Sequence, residues 1–225
     1  MAHTTTKNGA RPRPALMVTG FGPFPGAPHN PTADVIERLL HQQWAPPGFA
    51  VHGLVAPVLW GRSAEVIAEA IRASGCNGAL LLGIAGKARE FRVEMRAANH
   101  VDRRRPDADG KLWRGDKIDP TGPASARSTA PVADMMRAIE DAGYPSVASS
   151  DAGDYLCNFS LYRILTGLGD GAGAPPVGFL HVPRAVLKNG EDALLEVDDM
   201  ERAVKAAVRA FALHLAPQTA ILATA

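Results

Sequence analysis

Cysteine is nearly absent. Cys76 and Cys157 are the two in 225 residues, which excludes a disulfide-stapled scaffold and leaves each thiol to be explained by packing or by chemistry. An excess of charge of one sign is lacking too. Lys and Arg number 24 against 23 Asp and Glu, so nothing in the balance calls for nucleic acid or an acidic membrane as partner. The basic cluster at Asp102–Asp107 is short and flanked by acids, the pattern of a solvated or substrate-rim segment. No apolar run reaches the roughly 20 residues that span a bilayer. The opening MAHTTTKNGARPRP has no apolar middle of the kind a secretory signal carries. It reads as a disordered leader over 1–14, ahead of one domain over 15–225. The triplet Asn30-Pro31-Thr32 has proline in its centre and accepts no glycan. A reducing cytoplasm is the expected setting for such a chain.

What is present is an ordinary core composition, 46% hydrophobic and 21% charged, with enough length to bury it. Short apolar runs alternate with runs of helical period. Strands are expected at 15–21, 50–58, 78–86, 91–99 and 177–184, with a short strand and turn over 145–153. Helices are expected at 32–43, 63–74, 131–143, 154–168 and 197–216, with Thr32 and Ser63 as N-caps of the first two. The segment 103–130 is rich in Pro, Gly and Asp and reads as loop with short strand pieces, and 169–176 reads as a flexible connector. Alternation of this kind predicts a single α/β domain around a mostly parallel sheet covered on both faces.

Cys157 stands where a turn, Asp151-Ala152-Gly153-Asp154, meets the start of a helix. A helix N-terminus favours a thiolate, and its unpaired N–H groups can hold an oxyanion. Buried cysteines are also common packing residues, so Cys157 needs a base to count as a nucleophile. Cys76 lies between a helix end and a strand with no activating neighbour and reads as packing. Of seven histidines, His181 ends the apolar strand VGFLHV, at the sheet edge where ligands of α/β folds bind. An orienting acid is available in Glu90, Glu94 or Asp102, all near the strand FRVEMRAAN. Spacing leaves these three open.

Five segments together resemble the pyroglutamyl peptidase type I (pyrrolidone-carboxylate peptidase) family of cysteine peptidases. VTGFGPFPGAPHNPT resembles its opening strand and loop. GIAGKAREFRVEMRAAN is similar to its Gly-rich segment and "ERVAIN" strand. GPASARSTAPV resembles "GPAAY-STLP". SSDAGDYLCNFSLY resembles "SNTAGTYVCNHLFY", and GFLHVP resembles "GFIHVP". The segments occur in family order across residues 15–184. The resemblance implies a three-layer α/β/α sandwich, a Cys157–His181–Glu94 triad, no metal or organic cofactor, assembly as a homo-oligomer, and a peptide substrate with a blocked N-terminus. It also implies that Phe21 and Phe24 pack on the pyroglutamyl ring, with Tyr155 and Leu156 nearby and a polar contact from Asn30.

The sequence departs from the family pattern around that ring. Ile84 replaces the glutamine of "GQAGG", removing a polar partner from a lactam site. Met95 replaces an arginine, and Arg105 stands where an apolar residue is usual. Thr-Ala-Gly-Thr has become DAGD, so Asp151 and Asp154 add negative charge beside the thiol, which disfavours a thiolate. Three functions are therefore carried forward. The first is a pyroglutamyl peptidase. The second is a related cysteine amidohydrolase acting on another small acyl group, carboxylate-bearing if Arg105 points inward. The third is a non-catalytic binding protein on the same fold, which would have no need of a complete triad.

Overall fold

The computed structural model describes residues 13–169, 171 and 173–216. Most of the expected leader, two residues of the 169–176 connector and the last nine residues lie outside the described residues.

Three strands form the centre because their sequences are apolar on both faces. They are β1 (Ala15–Phe21), β3 (Gly78–Ala85) and β8 (Val177–Pro183), flanked by β2 (Ala50–Ala56) on one side and by β4 (Phe91–Glu94) and β7 (Ser146–Ser149) on the other. The order is β2-β1-β3-β8-β4-β7. The first four strands are parallel. β4 runs antiparallel to β8, and β7 runs parallel to β4. Alternation along β3 and β8 divides the core. Ala79, Leu81, Val177 and Phe179 pack under α2 (Arg62–Ser74) and α4 (Leu156–Leu168). Leu80, Leu82, Leu180 and Val182 pack under α1 (Pro31–His41), α3 (Val132–Asp141) and α5 (Val197–Leu215). The result is the expected three-layer sandwich.

Several local expectations are corrected. The strand expected over 91–99 breaks at Met95, whose N–H donates to the Ser149 carbonyl (2.7 Å) and whose carbonyl accepts from Ser128 N (2.9 Å). Beyond the break, β5 (Arg96–Ala98) leaves the main sheet and pairs antiparallel with β6 (Ser125–Arg127). Asn30, not Thr32, caps α1. Its Oδ1 accepts from Thr32 N (3.2 Å) and from the Thr32 hydroxyl (2.9 Å), with Pro31 at the first helical position. Ser63 lies inside α2, where its hydroxyl donates to the carbonyls of Pro57 and Leu59 (both 2.7 Å); Gly61 holds the cap position without a side-chain bond. A hairpin of β9 (Ala185–Lys188) and β10 (Glu191–Leu194) forms a second ribbon in a segment given no element above.

Candidate active site

β7 and β8 point in opposite directions, so their carboxyl ends lie at opposite edges of the sheet. Following β7 therefore does not by itself bring Cys157 to the edge where His181 lies near the end of β8. The segment 150–155 carries the chain back across the sheet before α4 begins. Gly153 sits there at φ +83, a left-handed conformation that a side chain would strain, and its N–H donates to Asp151 Oδ1 (2.9 Å). α4 then starts with Tyr155 as N-cap and no side-chain cap. Its first closing bond runs from Phe159 N to the Tyr155 carbonyl (2.9 Å), which leaves the N–H groups of residues 156–158 outside the helix ladder.

Cys157 is half-buried in this first turn, and it lies over Gly83. A Cβ placed on Gly83 would come within 2.8 Å of the Cys157 Sγ and 2.7 Å of Phe179 Cζ. Gly83 is the register partner of His181. The missing side chain is thus what lets the sulfur settle next to the imidazole.

The His181 ring is 6% exposed and packs on Phe179 with centroids 4.6 Å apart. Its Nδ1 lies 2.8 Å from Oε1 of Glu94, which is fully buried. Burial opposes protonation of the ring. The charge of the Cys157 sulfur, a hydrogen bond to it, and the bond to Glu94 together outweigh burial and push the ring's pKa up to about 9. The other two candidate acids lie elsewhere. Glu90 pairs with Arg92 (3.3 Å), and Asp102 pairs with Arg104 (2.9 Å), which holds the Asp102 carboxyl below the usual range. Of the three, Glu94 alone meets the ring.

A cleft of about 1110 Å³ opens over the sulfur and the imidazole. Phe21, Phe24, Asn30, Ile84, Tyr155 and Leu156 all line it. Asn30 is largely committed to structure. Besides capping α1, its Nδ2 donates to the Gly22 carbonyl (3.0 Å) and so fixes the Phe21–Phe24 loop. Tyr155 donates to the Pro106 carbonyl (2.7 Å) and packs tilted against Phe24 and edge-to-face with Trp60. Cys76 is buried away from the cleft, where burial raises its thiol pKa, as a packing role requires.

Sequence reasoning passed over two residues. Arg92 is the register partner of His181 and sits 3.9 Å from Glu94 Oε1 through Nε. Alternation in FRVE already put Arg92 and Glu94 on one face. Asn158 is fully buried behind the cysteine; it accepts from Ala98 N and donates to the carbonyls of Ala98 and His100, all at 2.8 Å. A polar side chain in the apolar run LCNFSLY was its signal.

The sequence profile described as pyroglutamyl peptidase matches residues 15–214. The chain belongs to the pyroglutamyl peptidase family. It is 34% identical over 202 residues to the pyrrolidone-carboxylate peptidase of Levilactobacillus brevis, covering 88% of this chain and 97% of that one. It is 34% identical over 171 residues to that of Deinococcus radiodurans, covering 76% and 78%. The crystal structure of pyroglutamyl peptidase I from Bacillus amyloliquefaciens superposes with a TM-score of 0.81 at 26% identity, over 90% of this chain and 97% of that one. A mutant pyrrolidone carboxyl peptidase from Pyrococcus furiosus gives 0.80 at 28%, over 90% and 100%.

Two of this family member's departures are coupled. Arg105 Nη1 donates to Asp154 Oδ1 (3.0 Å), so the added acid faces the added base. Asp151 is exposed and turned to its own backbone. Met95 is 42% exposed and does not line the cleft, while Arg96 holds the Ser150 carbonyl (2.9 Å) at the start of the 150–155 segment. No helix among the described residues is long and apolar enough to cross a membrane.

Proposed function

We propose that this chain is a cysteine peptidase that hydrolyses the amide bond after an N-terminal pyroglutamyl residue. The observation that carries the reading is the His181 Nδ1 to Glu94 Oε1 bond beneath the Cys157 sulfur, in a ring held protonated at neutral pH. Cys157 acts as the thiolate and attacks the pyroglutamyl carbonyl, forming the C–S bond. N–H groups of the first turn of α4 stabilise the oxyanion. The His181 imidazolium gives its proton to the leaving amine as the C–N bond breaks. The neutral ring then takes a proton from water, which attacks the thioester and returns the sulfur to thiolate. Glu94 fixes the ring tautomer and stabilises its charge. The lactam ring lies against Phe21, Phe24 and Tyr155, apolar walls suited to a small neutral ring. Relatives named pyrrolidone-carboxylate peptidase support this substrate.

Ile84 in the cleft wall favours a second reading, a cysteine amidohydrolase that takes a different small acyl group. One assay separates them: release of aminomethylcoumarin from its pyroglutamyl amide by the wild type, Cys157→Ser and Ile84→Gln. The peptidase reading expects wild-type turnover that Cys157→Ser abolishes. A silent wild type revived by Ile84→Gln favours the second reading. A silent set whose Cys157 resists iodoacetamide at neutral pH leaves a binding protein. The same reading places the chain in the cytoplasm, supported by two unpaired cysteines. It also has the chain act as a homo-oligomer, supported by apolar residues left exposed on the β9–β10 hairpin, Leu187 and Leu194.

A further inference from the structure

Resting on the peptidase reading, we propose that Arg105, oriented by Asp154 and Tyr155, is the hydrogen-bond donor that reads the lactam carbonyl of the substrate ring and sets the site's preference for uncharged acyl groups. The wall of the cleft explains the need. A lactam buries one C=O and one N–H, and a buried carbonyl without a donor binds poorly. Ile84 offers only hydrocarbon from its side chain. Arg105 lines the same cleft as Cys157 and carries five N–H donors, of which the contact to Asp154 uses one.

Arg105 is also held in place at three points. Asp102 N donates to the Asp154 carbonyl (2.8 Å) on one side of it. The Tyr155 hydroxyl donates to the Pro106 carbonyl (2.7 Å) on the other. The guanidinium itself lies over the Tyr155 ring, 4.1 Å from its centroid. The loop that carries Arg105 is therefore docked on the segment that carries the nucleophile. The ion pair is about half exposed on both sides, so it contributes little to stability, and its effect is orientation and charge balance. Asp154 cancels the charge of Arg105 at the cleft. A neutral carbonyl can still take a hydrogen bond from the remaining N–H groups. A carboxylate-bearing acyl group meets an arginine already paired and a second negative charge beside it. This reverses the expectation that an inward Arg105 selects acidic substrates.

The test uses the full chain with two variants, Arg105→Ile and Asp154→Asn, each checked for an unchanged urea midpoint. The probes are the pyroglutamyl aminomethylcoumarin amide, 2-pyrrolidone as the bare lactam inhibitor, and glutarate as a carboxylate-bearing inhibitor. Arg105→Ile is expected to raise KM for the amide and Ki for 2-pyrrolidone about tenfold or more with kcat little changed, the pattern of a lost binding contact. Asp154→Asn is expected to lower Ki for glutarate at least about threefold while 2-pyrrolidone still binds, because it frees a guanidinium charge. Arg105→Ile with Ki for 2-pyrrolidone within about twofold of wild type overturns the proposal and leaves the peptidase reading standing. A folded wild type that neither cleaves the amide nor binds 2-pyrrolidone overturns both.

Discussion

His181 keeps its proton against its surroundings. Burial alone would strip it, but the sulfur of Cys157 and then the carboxylate of Glu94 reverse the balance and lift the ring from 6.5 to about 9. Because the folded value lies above the ordinary one, the imidazolium is complete at neutral pH and is lost as pH rises through about 9. In the proposed mechanism, acylation needs that proton for the leaving amine. The kcat/KM profile is expected to fall on its alkaline side with a midpoint near 9, and a fall centred near 6.5 would mean the ring is not held as described. The sulfur is one of the causes that lift the ring, so removing it should be visible at the ring. In Cys157→Ala, burial is opposed by Glu94 alone, and an NMR titration of His181 should show its value well below 9. Glu94→Gln replaces the acceptor at Nδ1 with a neutral amide. A loss in kcat on the order of a hundredfold is expected, with KM for the amide nearly unchanged, since general acid–base contributions are of that size. Cys157 and His181 were legible as residues because each is a reactive type at the boundary of a recognisable element. Glu94 was not separable from Glu90 and Asp102 by pattern. What divides the three is which one reaches the imidazole, and that is set by the register of β4 against β8.

At the scale of elements, the sulfur is placed by one helix end and one strand. α4 has no side-chain cap, and Asn158 secures its first turn instead by matching the backbone of β5. Asn158→Ala leaves the Ala98 N–H and the His100 carbonyl without this partner, while the Ala98 carbonyl keeps the His100 N–H (2.9 Å), at a cost of roughly 1–3 kcal/mol. A lower urea midpoint is expected together with a fall in kcat for the amide, because the nucleophile's turn is no longer pinned. A fall in stability with kcat intact would make the clamp structural only. Gly83 is the matching device on β3. Gly83→Ala puts a methyl where Phe179 and the Cys157 sulfur already stand, which costs roughly 1–3 kcal/mol in strain. Slower alkylation of Cys157 by iodoacetamide is the measurement that shows the sulfur displaced. Most elements were readable from apolar periodicity, since β1, β3 and β8 are continuous hydrophobic runs. The caps were misread because Asn30 and Thr32 are both good capping residues, and the choice fell to Pro31, which takes the first helical position. The β9–β10 ribbon had a legible signal, Asn189-Gly190, both with positive φ, the usual pair for a two-residue hairpin turn.

The molecule as a whole shows what periodicity cannot carry. A strand pattern has no arrow, so nothing in PSVASS or FRVE told that β4 and β7 run against the other four strands. That reversal leaves β7, which precedes Cys157, and β8, which carries His181, pointing in opposite senses on either side of β4, and makes the 150–155 crossing necessary. The β9–β10 ribbon is a second consequence of scale. It pairs with no other strand among the described residues and is tied to the rest by Arg89 with Asp192; the bond from Leu195 N to the Arg184 carbonyl (3.0 Å) extends its own ladder by one rung. A two-stranded hairpin is marginal alone. Cross-strand pairing puts Ala185, Leu187, Asp192 and Leu194 on one face, where Leu187 and Leu194 are 59% and 78% exposed. Burying each leucine against a second copy would contribute up to about 1.5–3 kcal/mol, enough to make a shared interface of this ribbon. Sedimentation velocity of the full chain at micromolar concentration is expected to show an oligomer that Leu187→Lys/Leu194→Lys shifts toward monomer. Leu187 also lines the cleft over Cys157, so the shifted species should show an altered KM for the pyroglutamyl amide. A monomeric wild type, or a double variant that assembles as before, would put the interface elsewhere and leave the hairpin held by its Arg89–Asp192 tie alone.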